Sequence, residues 1–168
     1  IVRHLPNLLP QAIIYGSDYN KEYVKWCSNN LDNVLVSFNG IHPPMKYEDS
    51  FFDIVIGISV FTHLSEKNHI AWIEELERII KTGGIAFITT QGKPYRSKLL
   101  PAEQLKFDKD ELVTRENILE GNRLFSSFQP PEYIRKLIKN KFEVVEFISE
   151  VPSGKPPVQD IWVLRKLR

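Results

Sequence analysis

The sequence predicts an α/β protein with a doubly wound, mostly parallel Rossmann-like sheet and a C-terminal antiparallel hairpin. Three observations carry that class. Phe52, Ile54, Val55, Ile56 and Ile58 form a nearly continuous apolar run, the pattern of a parallel strand covered on both faces. A helical stretch follows, with Ile70, Ile73, Leu76 and Ile80 three or four apart, and then a second apolar run over 85–89, completing a βαβ unit. Near the C-terminus, the runs at 142–148 and 160–164 are separated by a short Pro/Gly segment with no helix, which makes them antiparallel neighbours.

The remaining elements follow in order. Residues 1–9 read as the tail of a helix, ended by Pro6 or Pro10. Residues 12–15 form a short strand closing on a Gly16-Ser17-Asp18 turn. Residues 20–31 are helical, with Tyr23, Val24, Cys27 and Leu31 on one face. A strand over 34–38 stops at Asn39-Gly40, and Pro43-Pro44 make 41–50 a loop. In the βαβ unit, Ser65 caps the helix, Glu74/Arg78 and Glu77/Lys81 pair four apart on its wet side, and Gly83-Gly84 end it. Residues 93–130 are rich in charge and weak in pattern, and read as an insertion or lid. A helix over 131–139 begins with Pro131 at its first turn, and 151–157 is a loop.

Bulk properties narrow the function. A chain of 168 residues suits one domain spanning 1–168, and 42% hydrophobic with 26% charged residues is ordinary for a soluble protein. A net charge of +1 gives no electrostatic case for nucleic acid or a membrane surface, and Arg165, Lys166 and Arg168 read as a solvated end. The single cysteine, Cys27, excludes an internal disulfide and fits a reducing, cytoplasmic setting. There is no apolar run of about 18 residues, no signal-peptide pattern, no metal-ligand spacing, no P-loop and no Gly-x-Ser-x-Gly.

Candidate residues fall at the carboxyl ends of the strands, where open α/β sheets bind ligands. The Asp18 carboxylate can accept two hydrogen bonds from a pair of hydroxyls; its alternative role is a turn or cap before the helix. Asn39 can donate and accept, and Gly40 permits close approach; the alternative is a simple Asn-Gly turn. His63 can take a proton near neutral pH, or make a structural hydrogen bond in the loop before Ser65. His42, in the proline loop, is a weaker candidate, and Tyr95, Arg96 and Arg123 fall in or beside the 93–130 segment.

Several segments, in order, resemble the class I methyltransferases that use S-adenosylmethionine. IIYGSDYNKEYVKWC is similar to the family's second strand and its terminal acid. SFNGIHPPMKYEDSFFDIVIGISVFTHL resembles the third and fourth strands. WIEELERIIKTGGIAFITT resembles the helix, Lys-x-Gly-Gly turn and fifth strand, and FEVVEF with QDIWVLRK the closing hairpin. The resemblance implies S-adenosylmethionine as cofactor and a small-molecule acceptor, while the net charge and the lack of a long apolar run point to neither nucleic acid nor membrane as partner. It assigns the ribose to Asp18, the adenine face to Tyr19, the adenine edge to Asn39, Gly40 and Ile41, and the sulfonium side to Ser59, Val60 and Phe61, Phe61 also reading as core. His63 would be the base for an acceptor that must lose a proton. The family's first strand and Gly-rich loop have no counterpart here. The chain is therefore expected to be part of a longer protein. If instead it starts near Ile1, it is a non-catalytic module whose open strand edges accept a partner strand. An NAD-dependent dehydrogenase would use the same acid, but the closing hairpin argues against it.

Overall fold

The computed structural model describes residues 2–115, 118–122, 124–149 and 158–168. It divides into two compact units, 1–46 and 47–168.

In the first unit a 3-10 turn, Val2–His4, runs into α1 (Leu5–Leu8). Pro6 sits in the first turn, where its missing N–H is no loss, so the helix passes it and stops before Pro10. Strand β1 (Tyr15–Asp18), helix α2 (Lys21–Asn30) and strand β2 (Leu35–Phe38) form a βαβ unit. β1 and β2 are parallel, in register from Tyr15 against Leu35 to Asp18 against Phe38. The strand expected at 12–15 thus lies later, and Gly16, Ser17 and Asp18 belong to it. Pairing with β2 decides this, while Ile13, inside the apolar run, is 73% exposed. The Asn20 side chain caps α2 by accepting from the N–H groups of Glu22 and Tyr23. On its expected apolar face Val24, Cys27 and Leu31 are half-buried, but Tyr23 is exposed.

The second unit is built on a four-stranded sheet of order β3-β4-β8-β7. Its strands are β3 (Phe52–Gly57), β4 (Ile80–Thr90), β7 (Phe142–Ile148) and β8 (Asp160–Lys166). β3 and β4 are parallel; β4–β8 and β8–β7 are antiparallel, so the closing hairpin is as expected. Helix α3 (Glu66–Ile79) follows its Ser65 cap, and α5 (Pro131–Ile138) starts with proline at N1. Ile73, Ile79, Ile80, Ile88, Ile134, Trp162 and Leu164 form the fully buried core. Each such side chain contributes about 1.5–3 kcal/mol on leaving water.

Several local expectations give way to tertiary context. β3 is an edge strand, and Ile54 and Ile56 on one of its faces, with Ile58 just past its end, are exposed rather than covered. Ile70 is exposed on α3, whose buried side carries Ile73, Leu76 and Ile79. The helix ends at Ile79, before the glycines. Gly83, at φ 77°, and Gly84 lie inside β4, where the register against β3 slips; a Cβ on Gly84 would come 2.8 Å from the Asp53 carbonyl oxygen. Arg78 pairs with Glu75 (2.7 Å) and Asp49 (2.8 Å) and donates to the Tyr47 carbonyl, so it fastens the loop before β3 to α3. Lys81 pairs with Asp53 and Glu77 with Lys141, in place of the pairs four apart. Lys166 is buried and donates to the Ile80 carbonyl (2.8 Å), so it is tied into the sheet rather than solvated, while Arg165 stays exposed and pairs with Glu143 on the surface.

Within 93–130, helix α4 (Pro101–Phe107) and the hairpin of β5 (Val113–Arg115) and β6 (Ser126–Phe128) share a small core of Leu99, Phe107, Val113 and Phe128. Tyr95 packs against that core, and Arg96 pairs with Asp108. Arg123 and the loop at 151–157 lie outside the described residues.

Two buried titratable groups respond to their burial in opposite senses. Desolvation pulls His69 down to about 4, against its bond to the Ser65 carbonyl and the charge of Glu120. Desolvation pushes Asp160 up to about 6, against the Ser149 hydroxyl and the N–H and charge of Lys93. From about 4 to 6.5 the unfolded chain binds the His69 proton more readily, so that contribution to stability grows as pH rises. From 3.8 to about 6 the folded chain holds the Asp160 proton more tightly, so that contribution shrinks as pH rises. Urea midpoints measured across pH 4–6 should therefore tilt downward in His69→Gln and upward in Asp160→Asn relative to wild type. Each tilt should reach at most about 1.4 kcal/mol per pH unit. Unchanged slopes would refute both assignments. A second test concerns packing. A Cβ on Gly92 would lie 1.7 Å from Asp160 Oδ2. Gly92→Ala should cost about 1–3 kcal/mol in chemical denaturation, and adding Asp160→Ala should remove most of that cost.

Candidate functional site

Parallel pairing puts the carboxyl ends of β1 and β2 side by side. Asp18 stands opposite Phe38, and the Asn39 N–H donates to the Asp18 carbonyl oxygen at 3.1 Å. The Asp18 side chain is half-buried; its Oδ1 accepts from the Asn20 N–H at 2.7 Å, a turn that fixes the carboxylate's direction. A carboxylate has about four acceptor sites, so holding this turn leaves capacity for two hydroxyl donors. Asn39 turns its Nδ2 back to the Gly40 carbonyl oxygen (2.7 Å). At Gly40 a Cβ would stand 3.2 Å from the His42 carbonyl oxygen, so the turn is tight. Tyr19 is 41% exposed beside Asp18, and Ile41 is half-buried. The structure thus brings Asp18, Tyr19, Asn39, Gly40 and Ile41 together in two adjacent turns. An acid for a diol, an amide for a base edge and an aromatic ring for its face make a donor set that fits an adenosine.

In the second unit the chain leaves β3 through a turn with unusual backbone geometry. Ser59 has φ 58°, a left-handed conformation that costs a non-glycine residue about 1–2 kcal/mol. Its N–H donates to Thr89 Oγ1 (2.8 Å), its hydroxyl donates to Gln159 Oε1 (3.0 Å), and the Thr89 hydroxyl donates to the same oxygen (2.5 Å). Thr62 Oγ1 donates to the Ser59 carbonyl oxygen (2.9 Å), and the His63 N–H donates to that of Val60 (3.0 Å). Val60 is 48% exposed, while Phe61 is buried core.

His63 is half-buried in the same turn. Its Nδ1 lies 2.7 Å from the Phe125 carbonyl oxygen, which can only accept. The neutral ring therefore carries its proton on Nδ1 and its lone pair on Nε2. The structural hydrogen bond is present, and it leaves the ring in the tautomer a base needs. The Gly121 N–H donates to the His63 carbonyl oxygen (3.1 Å), and the Glu120 carboxylate accepts from the Ser65 N–H.

Sequence reading passed over Thr89, Gln159 and Gln129. Gln129 is fully buried and ties the Phe61 carbonyl to the end of β4. Thr89, at the close of the β4 run, carried a weak signal as a hydroxyl at a strand end. The glutamines carried none, because apart from Ser127 beside Gln129 their partners are 38 to 100 residues distant in the chain, as in Gln91 with Gln129 and Ser59 with Gln159. His42 is exposed. Among the described residues no group of His, Cys, Asp or Glu is placed to hold a metal ion, and no helix is long and apolar enough to cross a membrane.

The chain resembles known proteins over much of its length. The chain is 37% identical over 83 residues to a tRNA (carboxymethyluridine(34)-5-O)-methyltransferase of Arabidopsis thaliana, a match covering 49% of this chain. It spans only 20% of that relative's length. A solved S-adenosylmethionine-dependent methyltransferase from Methanosarcina mazei superposes with a TM-score of 0.68 at 17% identity, covering 91% of this chain and 81% of that one. The Burkholderia thailandensis 1,6-didemethyltoxoflavin-N1-methyltransferase, solved with S-adenosylhomocysteine, gives 0.65 at 12% identity, covering 99% and 67%. At these identities the structural likeness establishes the fold. The profile of the methyltransferase domain family matches residues 1–88, more than half of the 168. The chain belongs to the methyltransferase domain family.

Proposed function

We propose that the intact protein transfers a methyl group from S-adenosylmethionine to a small or medium-sized acceptor. The observation that carries this reading is the adjacency of the Asp18 carboxylate to the Asn39-Gly40-Ile41 turn, joined by the Asn39 N–H bond to the Asp18 carbonyl oxygen. Asp18 accepts the two ribose hydroxyls. Tyr19 covers the adenine face, and Asn39 with the backbone of Gly40 and Ile41 meets its edge. Ser59 and Val60 serve the methionine side, and His63 Nε2 receives the acceptor's proton where there is one to lose. The donor supplies a methyl already activated on a sulfonium sulfur. What remains for the protein is to bring the acceptor atom into line, the part of the barrier that orientation lowers.

One observation favours a second acceptor class. The Arabidopsis relative is named for a modified uridine of tRNA, and it shares 37% identity over 83 residues. A nucleoside within RNA is the alternative to a free small molecule. Labelled methyl groups from S-adenosylmethionine, partitioned between a tRNA fraction and a small-molecule extract, separate the two. Label in the tRNA would overturn the small-acceptor assignment.

The cofactor assignment is tested more directly. Asp18→Ala should weaken S-adenosylhomocysteine binding tenfold to a hundredfold in titration calorimetry, the worth of about 1.5–3 kcal/mol for hydrogen bonds to a charged group. Asp18→Asn, which can keep the turn to Asn20, should weaken it too and leave the melting temperature unchanged. NAD should displace no bound S-adenosylhomocysteine. Unaltered affinity in both variants would remove Asp18 from the site.

A further inference from the structure

We propose that Gln129 is a positioning residue for the methyl-donor site, its buried side-chain amide holding the Ser59-to-His63 turn in place against the end of β4. The inference rests on the reading that this turn serves the donor. It concerns a residue that neither the sequence pattern nor the family match singles out.

The orientation of the amide is fixed by its partners. The Gln91 N–H can only donate, and it lies 2.8 Å from Gln129 Oε1. The Phe61 carbonyl can only accept, and it lies 3.0 Å from Gln129 Nε2. The same nitrogen is 2.9 Å from Ser127 Oγ and 3.1 Å from His69 Nε2. His69 Nδ1 lies 2.8 Å from the Ser65 carbonyl oxygen, so Nδ1 is protonated and Nε2 is an acceptor. Ser127 Oγ in turn donates to the Phe61 carbonyl oxygen at 2.9 Å. Gln129 is clamped a second time, its backbone N–H donating to the Gln91 carbonyl oxygen (3.0 Å). One amide thus joins three pieces: the end of β4, the turn after β3 and helix α3.

The turn needs such an anchor. Ser59 is held in a left-handed conformation, and strained residues persist where their surroundings over-determine them. Phe61 stands between Ser59 and His63, so its carbonyl is the handle by which the middle of the turn is fixed. With Gln129, Ser127, Gln91 and His69 buried or half-buried, a lost bond is replaced poorly by water. A small shift of the turn moves Ser59 and Val60, and small misplacements cost affinity and rate well beyond the energy of the bond itself.

The test compares Gln129→Met, which keeps the volume and loses the hydrogen bonds, with Ser127→Ala, which removes a single donor to Phe61 and survives if the first variant does not fold. Two readouts are made on the intact protein. In hydrogen exchange, the amides of residues 59–65 should exchange at least tenfold faster, with β8 unchanged. In calorimetry, S-adenosylhomocysteine should bind about tenfold more weakly while adenosine, held through Asp18 and Asn39, changes less than twofold. An inert core amide would move neither readout, or would weaken both ligands alike; either result overturns the proposal. Faster exchange in a protein whose wild type binds no S-adenosylhomocysteine overturns the donor reading and leaves the anchoring of the turn standing.

Discussion

A side-chain amide cut off from water must find protein partners for its two N–H groups and its carbonyl oxygen, and Gln129 does so where β4, the turn after β3 and α3 come together. Leaving such a group unsatisfied costs about 1–3 kcal/mol, comparable to a buried methyl or two. The apolar core of Ile73, Ile88, Trp162 and Leu164 decides where the strands lie, because burial rewards proximity with no preferred direction. It does not aim a loop. The aim comes from directional bonds. The amide of Gln129, the hydroxyls of Thr89 and Ser127 and the Gln159 carbonyl oxygen set where Ser59 and Phe61 sit.

Burial also sets the charge of this region. His69 is kept neutral because a protonated ring would lose its solvation and could no longer accept from Gln129. Asp160 opposes it: desolvation favours the neutral acid, while Ser149 and Lys93 favour the carboxylate. The two groups belong to the same end of the second unit's sheet, with Asp160 paired in register to Thr90 and the His69 network reaching Gln91. Thr90 is itself engaged from below by the Trp162 indole N–H at 3.0 Å, so the last residues of β4 are held by polar bonds on a strand whose middle is held by packing.

What the sequence revealed was what is decided locally. Ser65 caps its helix because a side-chain oxygen reaches an N–H three residues ahead, a distance visible in the chain itself. Pro131 opens α5 for the same kind of reason, and the short connection between β7 and β8 forces them antiparallel. What it hid was decided by partners elsewhere. The apolar run of β3 reads as doubly covered, but an edge strand with Ile54 and Ile56 open has the same composition. Arg78 has Glu74 and Glu75 both within helical reach and takes Glu75, three residues away, because the distant Asp49 and the Tyr47 carbonyl fix its other nitrogen. Gly83-Gly84 look like a helix stop, yet the helix has already ended and the glycines serve a slip in strand register.

The same division runs through the candidate site. The Asp18 and Asn39 turns are held by the β1–β2 ladder and by bonds between residues one or two apart, so their geometry is written where the functional residues are. The Ser59-to-His63 turn has two local bonds of its own but is anchored to the rest of the unit by groups 30 to 100 residues away in sequence. A substitution disturbs the first set only by touching it. The second can be retuned from Thr89, Ser127, Gln129 or Gln159 without altering a residue assigned to the ligand. Within one methyltransferase domain, the groups assigned to adenosine are therefore the less adjustable part. The turn assigned to the methionine side and the acceptor is the part whose position the rest of the chain can change.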